Sequence, residues 1–352
     1  MKYHLECKAC GAEFSHTNPY QTCPRCGSVL EVVYDGKLNI PKRRGQGFWD
    51  YESLLPDGRY SRYELGGTRV VHAQGSRLML KLEIENPTRS FKDRGSVVEI
   101  GKAHEYGYSE VVCASTGNMA YSIAYYAKLA GLSARVYISN NANKDKINDI
   151  RAVGDAEVVR VDGDFTRAQK EAERYARRNE AFLTGDYCYR KEGQRIMAYE
   201  IMTQVPDATH IIVPVGNATL LSGIIKAIGE MRAAKALKHT PKIVAVQAER
   251  TEPFVRAFLS GRRVRYVRPS TKADAIAVGF PTFGDDAAEG LRRLGGEAVT
   301  VTDLEMKAEA RRFFKGYGLV AELAGVASIA AARKMRFSNG DVPVAVVSGG
   351  NV

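Results

Sequence analysis

The chain has 352 residues, 51 of them basic and 40 acidic, for a formal charge of +11, with 45% hydrophobic and 26% charged residues. That usage belongs to an ordinary globular protein and excludes a disordered or fibrous one, and no uncharged apolar run approaches the roughly 18 residues of a membrane-spanning helix. The length accommodates more than one compact lobe, and the surplus of positive charge favours anionic partners without naming them.

The start, MKYHLECKAC, lacks the uninterrupted apolar core of a secretory signal, so a cytoplasmic protein is expected. Two CxxC knuckles follow, Cys7/Cys10 and Cys23/Cys26, twelve residues apart in CKACGAEFSHTNPYQTCPRCG. Four soft thiolates on two tight turns suit tetrahedral Zn²⁺, and a full set of protein ligands leaves no position for water, so a structural zinc ribbon is predicted over 1–36. Six cysteines are too few for a disulfide scaffold, and no thioredoxin-like pattern surrounds these pairs. The same segment carries Lys2, Lys8 and Arg25 against Glu6, Glu13, Glu31 and Asp35. It lacks the positive field that nucleic-acid binding requires, so the ribbon is expected to pack on the body of the protein or on a partner subunit.

Beyond a linker rich in Lys, Arg and Gly (PKRRGQGF), strand-like runs alternate with helical ones. RLMLKLE leads into NPTRSFKDRGS, which places Lys92 between a turn-forming Asn-Pro and the first residues of a helix. A lone lysine there is ordinarily a solvated neighbour of a helix cap; the other reading is an amine held at the floor of a cleft. EVVCAS, ARVYIS, AEVVRV, THIIVPV, KIVAVQ and PVAVVSG read as further strands, and MAYSIAYYAKLAG and TLLSGIIKAIGEMRAA as helices. Short β-branched runs interleaved with amphipathic helices predict an α/β protein whose parallel sheets are covered on both faces. The basic, poorly periodic stretch GRRVRYVRPSTK at 261–272 predicts a loop.

In open α/β sheets the ligand sits beyond the carboxyl ends of the strands. Three strand ends carry small hydrogen-bonding residues: Ser115, Thr116, Gly117 and Asn118; Gly216, Asn217, Ala218 and Thr219; and Ser348, Gly349 and Gly350. None is a dinucleotide fingerprint or a P-loop, and each alone is only a turn. The run PVGNATLLSG nevertheless offers free backbone N–H groups at a helix N-terminus, a place for a single phosphate. One phosphate site together with a lysine at another strand end points to pyridoxal phosphate, with Lys92 as the lysine bonded to its aldehyde.

Taken in this order, the motifs resemble the tryptophan-synthase-β-like group (fold type II) of pyridoxal-phosphate enzymes, and within it the threonine synthases, over nearly the whole chain. SFKDRG around Lys92 is similar to the family's cofactor-lysine motif, ASTGN (Ala114 to Asn118) to the loop that holds the substrate carboxylate and the cofactor's ring hydroxyl, and PVGNA (Pro214 to Ala218) to its phosphate cup. Several members also carry an amino-terminal zinc ribbon. The resemblance implies two lobes on open twisted sheets: a large pyridoxal-phosphate domain from 37–107 and 206–352, and a smaller α/β domain from 108–205.

Carried over by position, the resemblance implies that Lys92 is the covalent link to the cofactor and the acid/base. Asn118 would face the ring oxygen, Gly216, Asn217, Ala218 and Thr219 the cofactor phosphate, and Ser348 the pyridine nitrogen. Ser115, Thr116 and Met119 would present groups to the substrate carboxylate. Lys81 would grip the substrate's own phosphate, and Arg190, Gly193 and Gln194 would line the same pocket. The implied protein is a cytoplasmic homodimeric lyase of threonine biosynthesis that takes a small anionic amino acid, with neither nucleic acid nor membrane as partner. Its reaction would turn O-phosphohomoserine and water into threonine and phosphate. Threonine synthases usually carry an Asn-Ser pair where this chain has Thr184 and Gly185, and SGGNV with Ser348 is more similar to serine/threonine dehydratases. The reading kept beside the first is therefore a serine/threonine dehydratase or a phosphoserine-using synthase paralogue.

Overall fold

The computed structural model describes residues 2–36, 38–41, 47–140, 144–154, 156–163 and 165–351. Most of the PKRRGQGF linker, residues 42–46, lies outside them. In chain order the elements begin with β1 (Tyr3–Glu6), β2 (Glu13–Ser15) and β3 (Glu31–Tyr34), then β4 (Val70–His72), β5 (Met79–Leu82) and α1 (Lys92–Glu105). Next come β6 (Glu110–Ala114), α2 (Asn118–Leu129), β7 (Ser133–Ser139), α3 (Lys144–Gly154), β8 (Glu157–Val161), α4 (Phe165–Arg178), β9 (Phe182–Leu183) and α5 (Cys188–Gln204). The chain ends with β10 (His210–Pro214), α6 (Thr219–Ala233), β11 (Lys242–Ala248), α7 (Pro253–Ser260), α8 (Gly284–Arg293), β12 (Glu297–Val301), α9 (Asp303–Tyr317), α10 (Ala327–Lys334) and β13 (Pro343–Val347). Residues 261–272 form neither helix nor strand. No helix among the described residues is long and apolar enough to cross a membrane.

The chain divides into two compact units. The first comprises Met1–Lys37, Ser53–Glu64 and Lys92–Gly193. Its main sheet has four parallel strands in the order β8-β7-β6-β9. The core of that sheet gathers Val112, Ala114, Tyr137, Ala168 and Ala172, so that the alanines on one face of α4 let the helix sit close to the strands. A three-stranded antiparallel sheet, β2-β1-β3, carries the cysteines.

The second unit comprises Leu38–Glu52, Leu65–Phe91 and Gln194–Val352. Its sheet runs β12-β11-β10-β13-β5-β4, parallel throughout except for the antiparallel edge pair β4 and β5. All five residues of β13 are buried, as are four of five in β10, the continuous burial expected of central parallel strands. Within the two main sheets, the strands that no sequence run announced are β4 and β12, at the two edges of this sheet, and the two-residue β9 of the other.

These units follow different boundaries from the expected 107/108 and 205/206. Helix α1 belongs with the first unit because its packing partners are α2 and β6, and the second boundary falls inside α5 rather than after it. The N-terminal module is part of the first unit rather than a body of its own.

Candidate functional site

The two cysteine knuckles repeat one backbone design. Gly11 N–H donates to Cys7 O at 2.7 Å and Cys7 N–H to Ala12 O at 2.8 Å; in the second, Gly27 N–H donates to Cys23 O at 2.8 Å and Cys23 N–H to Ser28 O at 2.7 Å. Both turns aim their thiols at one point, with all four sulfurs within 4.8 Å of one another. The Cys7–Cys26 and Cys10–Cys23 sulfur separations are 3.4 and 3.7 Å, near the edge of about 3.8 Å that a tetrahedron with metal–sulfur bonds of about 2.3 Å requires. No cysteine is in a disulfide, and Cys113 and Cys188 are buried apart from this cluster.

The ribbon is bonded to the rest of its unit at several points. Gln21 Nε2 donates to Leu183 O at 3.0 Å, Tyr34 Oη to Glu192 at 2.6 Å, and Tyr106 Oη to His16 O at 2.7 Å, while Glu31 pairs with Lys191. The Lys102 ammonium, buried in α1, lies 4.5–5.4 Å from the ring centres of Tyr3, Tyr106 and Tyr189, an aromatic enclosure that compensates lost hydration.

Lys92 is the first residue of α1, and its amine lies 3.9 Å from Asp186 Oδ1, the side chains being 18% and 11% exposed. One face of α1 presents Lys92, Ser96 and Glu99 at i, i+4 and i+7, and Arg190 of α5 bonds all three. Its Nη1 donates to Lys92 O at 3.3 Å and Nη2 to Ser96 Oγ at 3.3 Å, while Glu99 closes on it as a fully buried ion pair. Arg190 Nε donates to Gly185 O at 2.8 Å, and Glu99 Oε1 accepts from Gly185 N–H at 2.7 Å. Burial pushes the Glu99 carboxyl upward, against the Arg190 guanidinium and the Gly185 N–H, which draw it back down. The helices meet closely: a Cβ on Gly193 would lie 1.9 Å from Arg94 O, so position 193 admits no side chain.

In the same unit the β6–α2 turn carries Ser115 and Thr116, half-buried, and Asn118 and Met119, buried. Ser115 N–H donates to Tyr137 O at 3.2 Å and Gly117 N–H to Ser115 Oγ at 3.3 Å. No side chain caps the start of α2. In the second unit, α6 also begins without a side-chain cap, after Ala218 in the left-handed region at φ 62°. A Cβ on Gly216 would meet Ala275 O at 3.0 Å, and Asn217 O accepts from Phe283 N–H at 3.0 Å. The turn 216–219 is thus a backbone-lined helix start, the kind of turn that can receive a phosphate group. At the end of β13, Ser348 is buried and its carbonyl accepts from Phe91 N–H at 3.0 Å, and a bridge joins Ser90 to Gly349. Lys92 follows Phe91 directly in the chain.

Two expected substrate contacts have other partners. Lys81 is wholly buried, donating to Thr68 O and Glu200 Oε2 at 2.8 Å and to Gln204 Oε1 at 2.9 Å; its three protons are committed inside the second unit rather than offered to a substrate phosphate. Arg190 is likewise an internal cation, for the reasons above. Gln194 is buried with neither side-chain Nε2 nor Oε1 bonded among the described residues, and Ser90 Oγ is in the same state. Buried polar groups without protein partners mark places where a ligand or water completes the bonding, which fits a polar cofactor. Asp186, Glu99 and Glu200 were not singled out from sequence. The i+7 spacing of Glu99 from Lys92 was the available signal for one of them.

Residues 62–349 match the profile of the family described as pyridoxal-phosphate dependent enzyme. A threonine synthase of Methanosarcina acetivorans is 34% identical over 354 aligned residues, covering 95% of this chain and 87% of its own. An L-threonine ammonia-lyase of Thermotoga maritima is 31% identical, covering 79% and 68%. Among solved structures, maize serine racemase superposes with a TM-score of 0.72 at 24% identity, over 81% of this chain and 88% of its own, a likeness of fold.

Proposed function

The chain belongs to the pyridoxal-phosphate dependent enzymes, and we propose that within that family it is a threonine synthase, converting O-phosphohomoserine and water to threonine and phosphate. The observation that carries this reading is the extent of the likeness. Coverage of 95% leaves about 18 residues unmatched, so the alignment to the Methanosarcina enzyme enters the cysteine module, whereas that to the ammonia-lyase covers 79%.

Bound pyridoxal phosphate supplies an electron sink for cleavage of bonds next to the amino-acid nitrogen. Lys92 would hold the cofactor by its ε-amine and would move protons at the reacting carbons of the substrate. The N–H groups of Gly216, Asn217, Ala218 and Thr219 would hold the cofactor phosphate, Asn118 its ring oxygen, and Ser348 its ring nitrogen. A hydroxyl at that nitrogen stabilises a pyridinium less than a carboxylate would, which favours elimination and replacement over transamination. Ser115, Thr116 and Met119 would orient the substrate carboxylate at the start of α2, and Gln194, whose side-chain amide has no partner among the described residues, is a further substrate contact. Cys7, Cys10, Cys23 and Cys26 hold a structural Zn²⁺. The working form is a cytoplasmic homodimer.

A dehydratase acting on serine or threonine is favoured by one observation: Lys81 and Arg190, the cations expected to grip a substrate phosphate, bond inside the protein. Incubation of the cofactor-loaded protein with O-phosphohomoserine separates the readings. Threonine and inorganic phosphate in equal amounts are expected; no phosphate release, with ammonia and a 2-oxo acid formed from threonine, would replace the synthase by the dehydratase.

A further inference from the structure

Resting on the reading of Lys92 as the cofactor-bearing lysine, we propose that Asp186 is its charge partner, a positioning carboxylate that stabilises the ammonium formed when the ε-amine takes up a proton and so retains that proton until it is returned. The two groups are 3.9 Å apart, and neither side chain is more than one-fifth exposed. An opposite charge at such a distance favours the charged amine, and limited exposure weakens screening by solvent.

The separation is built into the backbone. Arg190 bonds the carbonyl of Gly185, just before Asp186, through Nε, and the carbonyl of Lys92 through Nη1. Glu99 holds the Gly185 N–H, and Gly185 O also accepts from Tyr187 N–H at 2.8 Å. One guanidinium therefore fixes both ends of the Asp186–Lys92 pair. Other charged or titratable groups lie on the same segments. Glu99 closes on Arg190, Asp93 accepts from Ser122 Oγ at 2.7 Å, Arg94 is buried, and Tyr187, its ionisation suppressed by burial, is bonded to Glu173 at 3.3 Å.

The proposal is tested on the full-length, cofactor-free protein by timing acetylation of Lys92 at one mildly alkaline pH with peptide mass mapping, a readout independent of turnover. Asp186→Asn and Asp186→Ser are both prepared, each checked for fold by circular dichroism. Either should raise the Lys92 rate on the order of tenfold, as expected when a neighbouring opposite charge is removed, and Asp186→Glu should return it toward the native rate. An unchanged rate in a folded neutral variant overturns the charge pairing, and if neither neutral variant folds, a Lys92 rate no slower than that of freely exposed lysines in the native protein does so. Borohydride tagging of loaded native protein at a residue other than Lys92 would instead remove the cofactor role while leaving the acetylation result intact, so the two failures are distinguishable.

Discussion

Arg190 and Glu99 close on each other with no solvent exposure on either side chain, and the same guanidinium bonds the carbonyls of Lys92 and Gly185. Removing one member strands the other as a buried, uncompensated charge, whose cost is about 3–5 kcal/mol. Arg190→Met should therefore lower the unfolding free energy by about that amount, while Arg190→Met with Glu99→Leu should recover much of it. Urea unfolding of the two variants checks this; a single variant within about 1 kcal/mol of the native protein would mean that the pair contributes little.

The ribbon predicts a metal stoichiometry. Purified protein should contain one zinc per chain, and Co²⁺ exchanged into it should show the absorption of a tetrahedral thiolate site. Cys23→Ser should lose that metal and loosen the contacts of Gln21 and Tyr34 with Leu183 and Glu192, visible as faster amide exchange in the first turns of α5. A zinc-free protein with native exchange rates would contradict the structural role.

The cradle at the start of α6 predicts a cofactor effect. A methyl group at position 216 meets Ala275 O at 3.0 Å and must shift the turn. Gly216→Ala should weaken pyridoxal phosphate binding about tenfold, the loss of roughly one hydrogen bond to a charged group. Titration of cofactor absorbance measures it, and unchanged affinity would place the phosphate elsewhere.

Helix α9 supplies a pH prediction. Burial raises the Glu305 carboxyl, but the Thr302 N–H and hydroxyl and the Lys334 ammonium lower it further, so its net position is below the ordinary value of 4.5. A depressed carboxyl contributes stability that is present above 4.5 and lost as the pH falls through its folded-state value. Glu305 and Thr302 form a reciprocal capping box, so Glu305→Gln should cost about 1 kcal/mol at neutral pH. The difference between variant and native protein should shrink in acid, and a difference independent of pH would assign the effect to shape rather than charge.

The sequence is most legible where the structural signal is local. Each cysteine pair is two ligands on one turn, and the 216–219 cradle is a strand end followed by a helix start, so a few adjacent residues carry the whole signal. The strands of the two main sheets announced themselves where burial on both faces demands an unbroken β-branched run, as in β11 and β13, and stayed silent at the edges of the larger sheet, in β4 and β12. Lys81 and Arg190 show the opposite case. Both are cations near motifs, and nothing adjacent to them says whether the charge faces a ligand or the interior. Lys81 is claimed by Glu200 and Gln204, and Arg190 by Glu99, partners about a hundred residues away in sequence.

From the order of its residues alone, the chain determined its α/β class, the lysine at the head of α1, the strand-to-helix turn before α6 and the four thiols of the ribbon, because each depends on contacts among near neighbours. Tertiary structure alone decided which charges pair. The energy of a buried ion depends on the counter-charge that folding brings to it, and Asp186 beside Lys92, like Glu99 beside Arg190, comes together only once distant segments pack.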